Sequence, residues 1–289
     1  MKIAISGSTG FIGKQLSDYL LRSGNELIAI SRHDFSDGSN QLAKLINSVD
    51  VVINLAGAPV LTRWNEKNKR LILSSRVDTT RLLVEAVRMN VPEHRPKVFI
   101  NASAIGIYEN SLTHDEYSTA LGSDFLAEVC KAWEAESEPL KEMNLRLCTI
   151  RLGIVLGTTG GSIQKMLPLF KAGLGGKIGS GNQPFSFIHI SDLCRAVGHL
   201  ITSEKSSGIY NMVGPEPITN SLFTSALSDQ LHRPAFFTVP EFALKLIYGE
   251  ASEILTKGAR VKPARLLKEG FRFEFPDISS ALENLVKSR

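Results

Sequence analysis

Apolar and polar positions along the chain alternate between short apolar runs and longer stretches of helical period. Lys2 to Ser6 is an apolar run broken by Gly7-Ser8-Thr9-Gly10, and from Phe11 the apolar residues Ile12, Leu16, Leu20 and Leu21 mark one side of a helix. Ser23-Gly24-Asn25 closes that helix, and Glu26 to Ser31 reads as a second strand, apolar on both faces as a buried parallel strand is. A weak helix around Asn40 to Asn47, a strand at Val51 to Leu55, a long helix from about Asn65 to Met89 and a strand at Val98 to Asn101 follow. A helix from about Ser123 to Met143 and a strand from Leu145 to Arg151 then make at least five strands separated by helices. The pattern predicts a doubly wound α/β fold, a parallel sheet covered on both faces.

After Leu152 the texture changes to glycine-rich loops, Gly157 to Gly161 and Gly173 to Gly181. A short strand from Phe185 to Ile190 leads into a helix that starts near Ser191-Asp192, where polar side chains can cap free amides. Ile209 to Val213 is a candidate to return to the sheet. Thr219 to Leu231, Pro240 to Leu255 and Ile278 to Val286 read as helices of a smaller C-terminal lobe. No internal repeat, low-complexity tract or separating linker interrupts the chain.

Composition narrows the partners. The 289 residues carry 33 basic and 29 acidic side chains, a net +4 scattered along the chain, so no dense phosphate-binding face for nucleic acid is expected. Three cysteines, Cys130, Cys148 and Cys194, lack metal-ligand spacing and read as buried thiols in a reducing compartment. The N-terminal apolar stretch is too short for a secretory signal, and no segment approaches the roughly 18 apolar residues of a membrane span. A cytoplasmic protein with no membrane contact and no metal is the expectation.

The candidate chemistry begins at the first turn. Gly7-Ser8-Thr9-Gly10-Phe11-Ile12-Gly13 is a GxxGxxG sequence between a strand and an amphipathic helix. There, glycines permit a tight turn and close approach of a pyrophosphate to free backbone amides and the positive helix end, the Rossmann-like arrangement. About twenty residues on, where an acid would accept the ribose hydroxyls of NAD, stand Ser31-Arg32-His33. A hydroxyl and a guanidinium suit a 2′-phosphate, which predicts NADP(H), with Asp34 close by as the opposing feature. Asn54-Leu55-Ala56-Gly57-Ala58 ends the third strand at the ligand-binding edge, its small residues fitted either to a nearby adenosine or to tight packing.

These residues resemble the extended short-chain dehydrogenase/reductases, the group containing nucleotide-sugar epimerases. The resemblance is closer to an atypical branch, the NAD-dependent epimerase/dehydratase-like "epimerase family protein" branch with a C-terminal domain of unknown function. It rests on the glycine turn, Ser31-Arg32, Asn54 to Gly57, Arg63-Trp64-Asn65, Ser75-Arg76, Phe125-Leu126-Ala127 with Trp133-Glu134, Arg151 to Gly157, Gly173 to Gly181, and Phe187-Ile188-His189-Ile190-Ser191-Asp192. The tail from Gly249 through Arg260-Val261 and Pro263 to Phe275-Pro276 is similar to that terminal domain. The resemblance implies that Gly7, Gly10, Phe11, Ile12 and Gly13 line a pyrophosphate, Ser31 and Arg32 a 2′-phosphate, and Leu55 and Ala56 the adenosine side. It implies a further cofactor contact at Arg76 and places Val155 near the nicotinamide.

Active members of the wider superfamily use Tyr-x-x-x-Lys on the helix after the fourth strand, the Lys lowering the tyrosine pKa for proton exchange. None of the five tyrosines here has Lys four positions later; the helix offers Phe125 with Val129, or Leu126 with Cys130, depending on register. Ser103 stands where the family's hydroxyl would hold a substrate carbonyl and is the leading catalytic candidate. Tyr108 either supplies a phenolic proton or packs; His189 reads as a buried structural histidine.

The expected division is a NADP-binding domain over residues 1–160, rejoined by 185–213, and a smaller substrate lobe from 161–184 and 214–289. The expected function is an NADP(H)-dependent oxidoreductase or epimerase-like enzyme for an unidentified small metabolite. The alternative is a catalytically silent NADP(H)-binding sensor, which loss of Tyr-x-x-x-Lys favours. A rearranged nucleotide-sugar epimerase ranks third, because only isolated Arg195, Arg233, Arg260 and Arg265 could clamp a diphosphate. By analogy the helices near 65–90 and 123–143 could pair in a homodimer.

Overall fold

The computed structural model describes residues 1–110 and 112–287. β1 (Lys2–Ser6) passes through the glycine turn into α1 (Phe11–Arg22), and the chain returns along β2 (Glu26–Ile30). Ser31 ends that strand by capping a short helix, α2 (Arg32–Ser36), through a reciprocal pair with Asp34. α3 (Ser39–Ile46), β3 (Val51–Asn54), α4 (Glu66–Met89) and β4 (Val98–Ala104) follow. Asn65 opens α4 by accepting from the amide of Asn68 at 2.9 Å.

β5 (Thr113–His114) is a brief strand before α5 (Phe125–Ser137), which Asp124 caps through the Ala127 amide at 3.0 Å. The helix expected as far as Met143 stops at Ser137 and continues as a 3-10 turn over Glu138–Met143, with a proline at its start. β6 (Arg146–Leu152) and β7 (Ile154–Leu156) are separated only by Gly153, where an added Cβ would lie 2.7 Å from the carbonyl oxygen of Ser186.

The remaining elements are α6 (Gly161–Lys171), β8 (Gly176–Ile178), β9 (Pro184–Phe185), β10 (Phe187–His189), α7 (Ile190–Thr202), β11 (Gly208–Met212), β12 (Ile218–Thr219), α8 (Asn220–Leu231), β13 (Phe237–Val239), α9 (Glu241–Tyr248), α10 (Glu253–Thr256), β14 (Arg260–Val261), α11 (Ala264–Lys268) and α12 (Ile278–Lys287). The single strand expected from Phe185 to Ile190 is two, divided at Ser186, with β9 antiparallel to β12 and β10 parallel to β7. The helix expected from Pro240 to Leu255 breaks at Gly249, whose φ of +62° is left-handed.

Six parallel strands form the central sheet in the order β11-β6-β4-β3-β1-β2. Along β1, Ile3 and Ile5 enter one core with Leu16, Leu20, Val197 and Leu200, while Ala4 faces Leu42, Leu83 and Val87 in the other. Period-two alternation with apolar residues on both faces is what makes the sheet doubly covered. A third core, with Ile163, Leu167, Phe223 and Leu282, packs α6, α8 and α12 together. Buried Asp192 fastens the chain's tail beside the sheet by accepting from the amides of Glu274 and Phe275, each at 2.8 Å. The register aligns Ser6, Asn54, Asn101 and Thr149 across four neighbouring strands, so the carboxyl ends open at one edge.

Candidate nucleotide-binding crevice

A crevice of about 570 Å³ opens at that edge, within the range of small-molecule sites. Its floor begins at the glycine turn. Gly7 has φ of +72°, and a Cβ there would lie 2.7 Å from the Leu55 carbonyl oxygen. At Gly13 a Cβ would overlap the Gly7 carbonyl itself. Gly10 precedes α1 without any side-chain cap, which leaves the helix's first amides beside the crevice. Gly7, Gly10, Phe11, Ile12 and Gly13 all line it; Thr9 is exposed on the turn and is not part of the wall. The cradle therefore fits a pyrophosphate: glycines remove the side chains that would fill it, and an uncapped helix end supplies donors.

Below the turn lies a polar floor. Ser6 Oγ donates to Asn54 Oδ1 at 2.7 Å, and Asn54 Nδ2 donates to Asn101 Oδ1 and Thr80 Oγ1, both at 2.9 Å. Trp133 Nε1 also donates to Thr80 Oγ1, at 3.0 Å. These bonds satisfy the Ser6, Asn54 and Trp133 side chains, leave Asn101 Nδ2 buried without a partner among the described residues, and fix the ends of β1, β3 and β4 relative to α4 and α5.

At the end of β2 the expectation changes in detail. Ser31 Oγ donates to Asp34 Oδ2 at 2.6 Å, and Ser31 N donates to the same oxygen at 2.7 Å, which holds the Asp34 carboxyl below its ordinary range. The Ser31 hydroxyl is thus engaged in capping α2. The Arg32 guanidinium is exposed and engages no side chain or carbonyl among the described residues.

The loop after β3 is pinned to α4. Ala58 N donates to Ser75 Oγ at 2.9 Å, and Arg76 Nη2 donates to Ala58 O at 3.0 Å while Nη1 donates to Ile72 O at 2.9 Å. A Cβ at Gly57 would lie 3.0 Å from the Arg76 Cζ, so glycine there lets the guanidinium reach the loop. Arg76 also lies over the Trp133 ring, 5.1 Å from its centroid. Burial pulls its pKa down, since no carboxylate offsets the lost hydration. Leu55, Gly57 and Arg76 line the crevice; Ala56, half-buried, does not.

At the far end stands Ser103, 1% exposed, on the wall. Its Oγ donates to Glu134 Oε1 at 2.6 Å. Arg151 grips the same carboxylate, Nε to Oε1 at 2.8 Å and Nη2 to Oε2 at 2.7 Å. Burial works against the Arg151 charge, but the hydrogen bonds and charge of Glu134 outweigh it and hold the guanidinium above its usual range. Glu134 is the residue whose importance the spacing of motifs did not reveal; a glutamate one turn beyond Cys130 on the crevice-facing helix was the available signal.

Tyr108 lies behind this network. It is buried and outside the crevice wall, with its hydroxyl 2.9 Å from Asn211 Oδ1, 3.0 Å from Asp115 O and accepting from Arg151 Nη1 at 2.9 Å. Burial pushes its pKa up, with Arg151 opposing. Of the two roles open to Tyr108, burial and its absence from the crevice lining favour packing. The α5 register puts Leu126, Val129 and Cys130 on the wall, and burial raises the Cys130 thiol to about 11. Phe125 instead meets Trp64 edge-on at 5.0 Å. Val155 lines the crevice. His189 is buried against Phe275, accepts from Ser191 N at 3.2 Å, and burial lowers its pKa to about 4, so it is a neutral structural group.

Crevice, glycine cradle and parallel sheet together define a dinucleotide-binding α/β protein. The chain belongs to the NAD dependent epimerase/dehydratase family, whose model matches residues 3–213; a domain of unknown function, DUF1731, matches 239–285. It is 37% identical to mouse epimerase family protein SDR39U1 over 296 residues, 99% of this chain and 100% of that one. It is 35% identical to epimerase family protein YfhF of Bacillus subtilis, with 100% and 99% covered. The crystal structure of human epimerase family protein SDR39U1 (isoform 2) with NADPH superposes with a TM-score of 0.92 at 32% identity, covering 100% of both chains. UDP-N-acetylglucosamine 4-epimerase from Bacillus cereus shares the fold, with a TM-score of 0.78 at 18% identity over 99% of this chain and 98% of that one. Among the described residues no helix is long and apolar enough to cross a membrane.

Proposed function

We propose that this chain binds NADP(H) and acts as an oxidoreductase or epimerase-like enzyme on a small metabolite. The observation that carries the reading is the glycine cradle over the uncapped start of α1, supported by the full-length similarity to a protein crystallised with NADPH. Gly7, Gly10, Phe11, Ile12 and Gly13 would hold the pyrophosphate, with Thr9 reaching it from the exposed side of the turn. Leu55, Ala56, Gly57 and Arg76 would hold the adenosine side, with Val155 beside the nicotinamide. With the Ser31 hydroxyl turned to Asp34, discrimination of the 2′-phosphate rests chiefly on Arg32, whose guanidinium is free to fold over it.

Bound there, the dinucleotide would supply a two-electron carrier. Ser103 would position the substrate oxygen, and Glu134, clamped by Arg151, would fix the direction of the Ser103 hydroxyl. Residues 1–160 with 185–213 would form the cofactor domain, and 161–184 with 214–289 the lobe closing over substrate. The neutral wall of Leu126, Val129 and Cys130, where an acid/base pair would stand, favours a second reading, a non-catalytic NADP(H) sensor. A cytoplasmic location fits the three free cysteines, and a homodimer through the outer faces of α4 and α5 is the proposed assembly.

Calorimetric titration with NADPH and NADH tests the cofactor. NADPH should bind at least tenfold tighter, and Arg32→Ala should remove most of that margin. Equal affinities in the parent would overturn recognition of the 2′-phosphate. Turnover of NADPH with a carbonyl panel, reduced in Ser103→Ala, would separate the enzyme from the sensor. Sedimentation velocity tests the dimer, which a purely monomeric boundary would exclude.

A further inference from the structure

The substrate end of the crevice has a chemistry of its own. Ala104, Leu126, Val129, Cys130, Leu152 and Ile154 form its wall. Among the described residues lining the whole crevice, Arg76 alone carries a charge, and its guanidinium is already tied to two carbonyls and laid over Trp133. We propose that this end receives an uncharged ketone or alcohol of largely hydrocarbon character, in place of a phosphorylated or nucleotide-linked sugar. The proposal rests on the NADP(H) reading above, which gives the other end of the crevice to the dinucleotide.

Charge balance drives the argument. A dinucleotide phosphate group brings several negative charges to the first amides of α1, and Arg76, between the loop after β3 and Trp133, is already committed to the carbonyls of Ile72 and Ala58. An anionic substrate would then enter a low-dielectric cleft with no cation left to meet it, an arrangement that costs more than its contacts return. The start of α6 reaches the same wall through Gly161 and Ser162 and adds amides but no charge, and the Phe11 ring crowds the glycines around it: Cβ atoms at Gly157 and Gly160 would each come within 2.6 Å of that ring.

Ser103 points the same way. Its proton is directed at Glu134, so the oxygen can accept from an alcohol, while a ketone carbonyl is held there once the hydroxyl turns away from Glu134. A phosphate or carboxylate against it would face the Glu134 carboxylate one hydrogen bond behind. The Cys130 thiol, raised by burial to about 11, adds neutral surface and no base.

The test uses the whole protein saturated with NADP⁺, read by tryptophan fluorescence, since Trp133 lines the crevice and Trp64 packs on Phe125. Titrants are 4-phenylbutan-2-one, 4-phenylbutan-2-ol, glucose 6-phosphate and UDP-glucose. The expected result is saturable change with the two phenyl compounds and none with the two anions. Leu126→Arg should weaken the phenyl ketone by about tenfold or more, as loss of one large apolar contact does, with NADP⁺ affinity within about threefold of the parent. Should Leu126→Arg fail to fold, Leu126→Ala should still weaken the ketone by about fivefold. Saturable binding of UDP-glucose or glucose 6-phosphate, or no response to either phenyl compound in protein that demonstrably binds NADP⁺, would overturn the inference and leave the cofactor reading standing. Failure to bind NADP⁺ at all would remove both, and the first titration identifies that outcome.

Discussion

The two ends of the crevice are made of different materials. At the glycine turn the crevice is lined by backbone: Gly7, Gly10 and Gly13 matter for the side chains they lack, and the first amides of α1 are uncapped beside it. At the Ser103 end the chemistry is held by side chains from three distant elements, β4, α5 and β6, joined through Glu134 and Arg151. A backbone site is fixed by local conformation and fails when a single atom is added. A side-chain site depends on a satisfied network and fails when one partner is removed.

Breaking the network should have the largest effect. Arg151 and Glu134 are 5% and 13% exposed at their side chains, so Arg151→Ala strands a buried carboxylate and should cost about 3–5 kcal/mol, read as a lower denaturant midpoint. Glu134→Gln, which keeps the shape, should cost clearly less; equal losses would mean that packing and not charge holds this end together. Gly13→Ala probes the opposite end. Overlap with the Gly7 carbonyl should destabilise by about 2–3 kcal/mol and abolish measurable NADPH binding. If that variant binds normally, the cradle is not the pyrophosphate site.

A pH series extends the comparison to buried His189, at the end of β10. Burial keeps His189 neutral with a folded pKa of about 4, against 6.5 for the free group. The folded value is the lower one, so the unfolded chain binds more protons across this window. Stability should be intact above pH 6.5 and fall toward pH 4, by roughly 3 kcal/mol in all. His189→Gln should flatten that slope, as measured by urea midpoints at pH 7 and 4.5; an unchanged slope would assign it to another group. The smallest effect is expected at Ser31. Ser31→Ala removes an exposed cap of α2, costing about 1 kcal/mol, with NADPH affinity changing less than in Arg32→Ala.

The same contrast explains what the sequence disclosed. Strand, glycine turn and helix are local, and the sheet and its cradle followed from residues adjacent in the chain. The two registers offered by α5 were Phe125 with Val129 and Leu126 with Cys130, and the wall takes Leu126, Val129 and Cys130 together, a mixture that only the packing of α5 on its neighbours decides. The Ser103 to Glu134 bond spans 31 residues and the Arg151 to Tyr108 bond 43, so nothing local connects them. Ser31 illustrates a missed local signal: Ser-x-x-Asp is a capping box, and it ends the strand one residue early while occupying the hydroxyl that had been given to phosphate. Likewise Pro139 and Gly249 mark where two expected helices stop.

The most direct measurement is a crystal structure of the protein grown with NADPH. Diphosphate density is expected within hydrogen-bonding distance of the Phe11 and Ile12 amides, with the 2′-phosphate beneath Arg32 and the nicotinamide between Val155 and Ser103. Density for the dinucleotide elsewhere, or a crevice free of it at saturating concentration, would contradict the account.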